Sequence, residues 1–173
     1  MNAFHHLNDV VIREIRHGDE AHRCARFMSN SEPWLTLNRT YEDSLKIFSD
    51  PSKEVHVATA DDELAGFIIL QMTGAFVGYI QSIAVLPDWR NKGIGYRLMR
   101  FAEERIFFET PNVFICVSSF NQNAQAFYKR LGYTVVGELE DYIISGHSEI
   151  LLRKTMGPLN DFMNRTGISR VEP

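Results

Sequence analysis

From Leu86 to Gly95 the chain reads Leu-Pro-Asp-Trp-Arg-Asn-Lys-Gly-Ile-Gly, with two glycines and two cations between an apolar β-like run and an amphipathic helical pattern. A helix start presents unpaired N–H groups and the positive end of the helix dipole, and glycines let an anion come close to the backbone. Arg90 and Lys92 would add charge. The chemistry this segment suits is the holding of a phosphate group. Two dinucleotide templates fail: a Rossmann loop needs GxGxxG, but Gly93-Ile94-Gly95 is followed by Tyr96-Arg97-Leu98, and GxxxxGK[ST] does not occur.

A second constellation runs from Asn121 to Tyr133. Asn121 is placed to open a helix as its N-cap, and Ala124, Phe127, Tyr128 and Leu131 fall on one face. Gly132 stands where a left-handed C-terminal cap belongs. On the residues alone, Tyr128 reads as an aromatic of that apolar face and Asn121 as an N-cap.

Several elements must position these groups. Val10 to Ile15 predicts a strand and Asp19 to Met28 a helix, with Ser29 to Asn38 a loop. A helix over Tyr41 to Phe48 ends before Asp50-Pro51-Ser52. Glu54 to Ala60 and Glu63 to Met72 predict a hairpin turning at Asp61-Asp62. Tyr79 to Val85 predicts a strand that Pro87 cannot extend as a central ladder member. A long amphipathic helix follows from Ile94, burying Leu98, Phe101, Ala102 and Ile106. Pro111 stops it, a short buried strand covers Val113 to Val117, and strands from Tyr133 and from His147 close the pattern. Early strands and then a β-helix-β-helix-β order predict a mixed α/β sheet with helices on its faces.

The Arg90-x-x-Gly93-x-Gly95 stretch resembles motif A, Q/R-x-x-G-x-G/A, of the GNAT superfamily of N-acetyltransferases. Ser82 to Pro87 is similar to the strand preceding it there, and Asn121-x-x-Ala124-x-x-Phe127-Tyr128 with Gly132-Tyr133 resembles the family's downstream segment. The likeness covers roughly Val10 to Lys154, and by the second motif the closest well-known branch is the ribosomal-protein N-acetyltransferases. It implies a GNAT-like fold: a mostly antiparallel, twisted, mixed sheet of about six or seven strands with helices on both faces.

The resemblance also implies acetyl-CoA as co-substrate. Its pyrophosphate would lie on Arg90, Asn91, Lys92, Gly93, Ile94, Gly95 and Tyr96, and its pantetheine arm along the backbone of Ile83, Ala84 and Val85. Asn121, Ala124 and Tyr128 would complete the site, with the Tyr128 phenol, of ordinary pKa about 10, at the departing thiolate, of about 8.5. The same resemblance puts the acceptor between residues 29–38 and 138–147, with Trp34 and Tyr142 lining an amine pocket. Glu138, Glu140 and Asp141 would attract a cation or simply face water.

One expected group is missing. Where the ribosomal-protein branch carries a glutamate as general base, this chain has Cys116, and where other relatives carry one before the Ile-Ala-Val run it has Tyr79 and Gln81. Glu32, Asp141, Tyr142, His147 and Glu149 remain, none singled out as the base. The resulting expectation is direct acetyl transfer to a small amine or a peptide N-terminus. The alternatives are an acyl-CoA-binding sensor without turnover and a cysteine hydrolase using Cys116 with His147.

Composition narrows the partners. The chain has 173 residues, 45% hydrophobic and 23% charged, within ordinary globular usage. A net charge of -4 gives no broad positive field for nucleic acid. Two distant cysteines make neither a disulfide framework nor a zinc knuckle, and His5-His6 reads as solvated, so no metal is expected. No apolar run approaches the roughly 18 residues of a membrane span. The expectation is a cytoplasmic monomer or homodimer, with one domain over residues 1–157 and a C-terminal extension over 158–173.

Overall fold

A near-continuous apolar run from Leu64 to Leu70 builds a strand that is buried on both faces. The computed structural model describes residues 10–16 and 18–167. His5 and His6, and positions 168–173 of the expected extension, lie outside them. Strand β1 (Val10–Glu14) leads to helices α1 (Asp19–Ser29) and α2 (Tyr41–Phe48), then to β2 (Glu54–Ala60), β3 (Glu63–Gln71) and β4 (Tyr79–Val85). Helix α3 (Ile94–Phe107), β5 (Asn112–Ser118), α4 (Gln122–Arg130), β6 (Thr134–Leu139), β7 (Glu149–Thr155) and α5 (Leu159–Thr166) follow.

Among the described residues the strands form one seven-stranded sheet in the order β1-β2-β3-β4-β5-β7-β6. Only β4 and β5 are parallel neighbours, joined by the α3 crossover; all other pairs are antiparallel. This is the mixed, mostly antiparallel architecture expected from the sequence.

Period-two alternation divides β3 between two cores. Phe67 and Ile69 face α1 and α2, packing with Cys24, Met28, Trp34 and Phe48. Ile68 and Leu70 face α3 and α4, packing with Leu98, Met99, Ile106, Ile115 and Tyr128. Thr40 caps α2, its Oγ1 accepting from the Asp43 N–H at 3.1 Å. The turn chemistry read at Asp61-Asp62 is real: both residues have positive φ.

The segment read as a loop, 29–38, is a chain of tight turns, with Leu35 N–H donating to the Ser31 carbonyl and Leu37 N–H to that of Pro33. The polar tail contains α5, whose Phe162 is buried. Leu159, Phe162 and Met163 fall at i, i+3 and i+4, but over only eight residues, too short a window to announce a helix.

Candidate active site

The site begins where the sheet comes apart. Strands β4 and β5 are in register only at Tyr79↔Phe114 and Ile80↔Ile115. Past that point β4 is paired with β3 alone, and Gln81 is an extra residue between the pairs Ile80↔Leu70 and Ser82↔Ile69. Such a bulge bends a strand and increases its twist. Here β4 turns away while β5 stays with β7, opening a cleft of about 1980 Å³. Ile83, Ala84 and Val85 lie along its β4 wall.

At one end lies the loop into α3. Pro87–Trp89 makes a single 3-10 turn, and Asn91 and Gly93 both adopt left-handed backbone conformations, at φ 60° and 79°. Gly93 is the helix N-cap, and no side chain caps this end. The first N–H groups of α3 therefore remain for an anion. Gly95 lines the cleft, and a Cβ placed there would meet Phe127 and Val85 at 3.6 Å, filling space without forcing either aside.

Arg90, Asn91, Ile94 and Tyr96 also line the cleft, the Arg90 Nε donating to the Val85 carbonyl at 3.2 Å. Lys92 does not: its Nζ sits 4.7 Å from the centroid of the Trp89 ring, a cation–π contact. Arg130, from the last turn of α4, supplies a cation that the sequence reading missed. Its only signal was a position two residues after Tyr128.

Helix α4 brings the second motif to the same cleft. Asn121 Oδ1 accepts from the Ala124 N–H at 3.2 Å, so this side chain is an N-cap, and both residues line the cleft. Tyr128 is 6% exposed, its ring 5.5 Å from that of Phe127 and 6.0 Å from that of Tyr133. The ring belongs to the core while the residue also lines the cleft. Burial pushes its phenol well above the ordinary tyrosine value, so it keeps its proton.

The opposite face of the sheet holds a different set. Opposed residues in a ladder share a face, so Tyr79, Cys116, Ser118 and Glu149 project away from the α3–α4 core. Burial raises the Cys116 thiol, a hydrogen bond with Tyr79 only partly opposing it. Burial likewise raises Tyr79. Glu149 is 6% exposed and accepts from the Ser118 hydroxyl at 2.5 Å; burial raises its carboxyl and the Ser118 bond partly offsets this.

Trp34 and Tyr142 flank this side, but unequally. Trp34 is buried, its ring tilted against that of Phe67 at 6.2 Å between centroids, whereas Tyr142 is 65% exposed. Arg39 Nε and Gln81 Oε1 are buried in this wall without a hydrogen-bond partner among the described residues. Glu32 accepts from the Thr36 hydroxyl at 3.1 Å, and Asp141 from the Gly146 N–H at 2.6 Å, so both serve local turns. His147 packs against Phe120 at 4.9 Å, whereas Cys116 hydrogen-bonds with Tyr79.

An N-terminal anion site, a glycine at the cleft wall and an unpaired β4 edge together fit a long pyrophosphate-bearing thioester. Residues 19–133 match the model of the acetyltransferase (GNAT) family. An N-alpha-acetyltransferase of Sulfurisphaera tokodaii is 28% identical over 109 residues, covering 56% of this chain and 65% of that protein, less than two thirds of its length. An aminoglycoside 6'-N-acetyltransferase complexed with coenzyme A has TM-score 0.68 at 18% identity, covering 86% of this chain and 98% of that one. The ribosomal-protein-alanine N-acetyltransferase of Escherichia coli has TM-score 0.67 at 17% identity, covering 87% and 96%. At these identities the two structures speak for the fold.

Proposed function

The chain belongs to the GNAT acetyltransferase family, and on that premise we propose that it moves an acetyl group directly from acetyl-CoA to a primary amine, borne by a small molecule or by a peptide or protein N-terminus. The observation that carries this reading is the β4–β5 gap: it joins the α3 N-terminus, on one side of the sheet, to the Trp34 and Glu149 wall on the other. Relatives acting on N-terminal α-amines and on aminoglycosides support an amine acceptor.

When bound, acetyl-CoA supplies the acetyl group as a thioester. In this reading the backbone from Arg90 to Tyr96 holds the pyrophosphate, with Arg90 and Arg130 adding charge and Lys92 contributing at longer range from its place over Trp89. Ile83, Ala84 and Val85 bind the pantetheine arm through the unpaired β4 edge, and Asn121 and Ala124 fix the start of α4 beside it. Tyr128 donates a hydrogen bond to the sulfur. Its raised pKa makes full proton transfer to a thiolate of about 8.5 unfavourable, so donation rather than release of the proton is its task.

Trp34 and Tyr142 would bound the acceptor, the first as a fixed wall and the second as an exposed, movable one. The reading places the acetyltransferase domain at residues 1–157 with 158–173 as an extension, in a cytoplasmic monomer or homodimer without nucleic-acid or membrane partners. No helix among the described residues is long and apolar enough to cross a membrane.

Two measurements test it. Acetyl-CoA should raise the melting temperature, and free CoA should then appear with at least one amine from a panel of dipeptide α-amines, polyamines and aminoglycosides. Binding without CoA release on any of them would instead mark an acyl-CoA sensor.

A further inference from the structure

Glu149 is a buried carboxylate to which the reading above gives no task. A carboxylate so enclosed normally pairs with a cation. Glu149 has none: its one hydrogen-bonding partner among the described residues is the Ser118 hydroxyl, and the residue lines the cleft. The other carboxylates offered by the sequence do not share this setting. Glu32 and Asp141 are exposed and tied to their own turns.

We propose that Glu149 is the general base of the acetyl transfer, accepting the proton that the acceptor amine sheds. The proposal rests on the acyl-transfer reading of this cleft. Ile150 and Leu152 pack with Tyr128 in the α3–α4 core, so Glu149, alternating with them, projects to the other face. Tyr128 thus meets the gap from one side of the sheet and Glu149 from the other. That division suits a reaction in which sulfur leaves on one side of the carbonyl carbon and nitrogen arrives on the other.

As the amine nitrogen bonds to the carbonyl carbon, Glu149 takes a proton from that nitrogen. The carbon–sulfur bond breaks with its electron pair going to sulfur, where Tyr128 donates its hydrogen bond. Glu149 then releases its proton to solvent, and the sulfur takes one from solvent, leaving an amide and the free CoA thiol.

Groups on the Glu149 face are Cys116 and Ser118 from β5, Tyr79 from β4 and Leu139 opposite it on β6, with Tyr142 from the 140–148 segment lining the same cleft; Glu138, opposite Ile150, lies on the other face. Burial dominates this environment and holds the carboxyl above its ordinary value. A base there acts when ionised, so kcat/KM should fall as pH drops through that raised value.

The test is Glu149→Gln, whose amide oxygen can still accept from Ser118. With wild type first shown to release CoA on one of the dipeptide, polyamine or aminoglycoside acceptors, the variant should keep the acetyl-CoA melting shift, lose about 10²-fold or more in kcat/KM, and lose the acidic limb of its pH profile. Glu149→Asp should retain that limb and recover at least about tenfold of the lost rate. It also supplies the reading should the glutamine variant fail to fold. Wild-type rates in Glu149→Gln, or folded variants equally inactive without regard to ionisable character, would overturn the assignment. Wild type that binds acetyl-CoA but turns over no acceptor would overturn the acyl-transfer reading itself, and this proposal with it.

Discussion

Ser118 and Glu149 stand opposite one another across the β5–β7 ladder, joined by a 2.5 Å hydrogen bond inside the cleft wall. The serine donates to the ionised form and so lowers a carboxyl that burial raises. Ser118→Ala should leave burial in charge, moving the Glu149 pKa, and with it the acidic limb of kcat/KM, to higher pH. Acetyl-CoA affinity should not change. A limb that stays in place or moves to lower pH would separate Glu149 from the rate.

The phosphate loop makes two different demands on its glycines. Gly93 has left-handed φ and open space around it, so Gly93→Ala should fold at a cost of about 1 kcal/mol. Gly95 is in α3 with ordinary φ and room for a Cβ, so Gly95→Val should fold and fill the cofactor path. Its melting curve should no longer respond to acetyl-CoA. A Gly95→Val protein with wild-type acetyl-CoA affinity would remove the loop from the binding site.

Tyr128→Phe keeps the aromatic packing against Phe127 and Tyr133 and removes only the hydroxyl. Stabilisation that grows as negative charge develops on sulfur appears in kcat, not in ground-state binding. The expected loss is roughly 10²-fold in kcat with the acetyl-CoA dissociation constant nearly unchanged. Unaltered kcat would leave Tyr128 as a core aromatic alone.

Away from the cleft, Arg13 on β1 clamps Glu20 on α1 with bonds of 3.0 and 2.6 Å, and the Arg16 N–H adds a third at 2.7 Å. The Arg13 bonds lead in holding the Glu20 carboxyl below its ordinary value. A depressed folded-state pKa stabilises fully above the unfolded value of about 4.3 and loses that contribution as pH falls through the folded value. Urea unfolding should show Glu20→Gln less stable by about 1 kcal/mol at pH 7, the pair being partly screened. The gap should narrow as the solution is acidified below the unfolded value.

Local signals carried most of the fold. Pro87 and Pro111, the Asp61-Asp62 turn and the helical spacing from Ile94 each mark an element boundary or period within a few residues, and the sheet and helices follow them. Helix α5 left little trace because its apolar spacing, Leu159, Phe162 and Met163, spans only eight residues. In the site, the two motif segments sit on contiguous chain and are readable as such. Glu149 is not: its significance arises from long-range pairing with Ser118 and from a register that turns it away from Tyr128, neither visible at its own position. Lys92 shows the converse, a cation at the right spacing whose rotamer lies over Trp89.

Cys116 occupies the place where the ribosomal-protein branch carries a glutamate, and its surroundings argue that it is not a base. Burial raises the thiol, so at neutral pH it holds its proton and neither attacks nor abstracts. Its neighbour Tyr79 is raised by burial as well and keeps its own proton. Cys116→Ala should therefore keep kcat/KM and the shape of its pH profile nearly intact, with alkylation of the wild-type thiol slow at neutral pH. The acceptor then sets the remaining cost: at pH 7 a lysine-like amine of pKa about 10.4 needs roughly 4.6 kcal/mol to become neutral, an α-amine near 8 only about 1.4. Competition between a dipeptide α-amine and a lysine side chain on one blocked scaffold should favour the α-amine. Loss of turnover in a folded Cys116→Ala protein, or a preference for the lysine, would count against this division of labour.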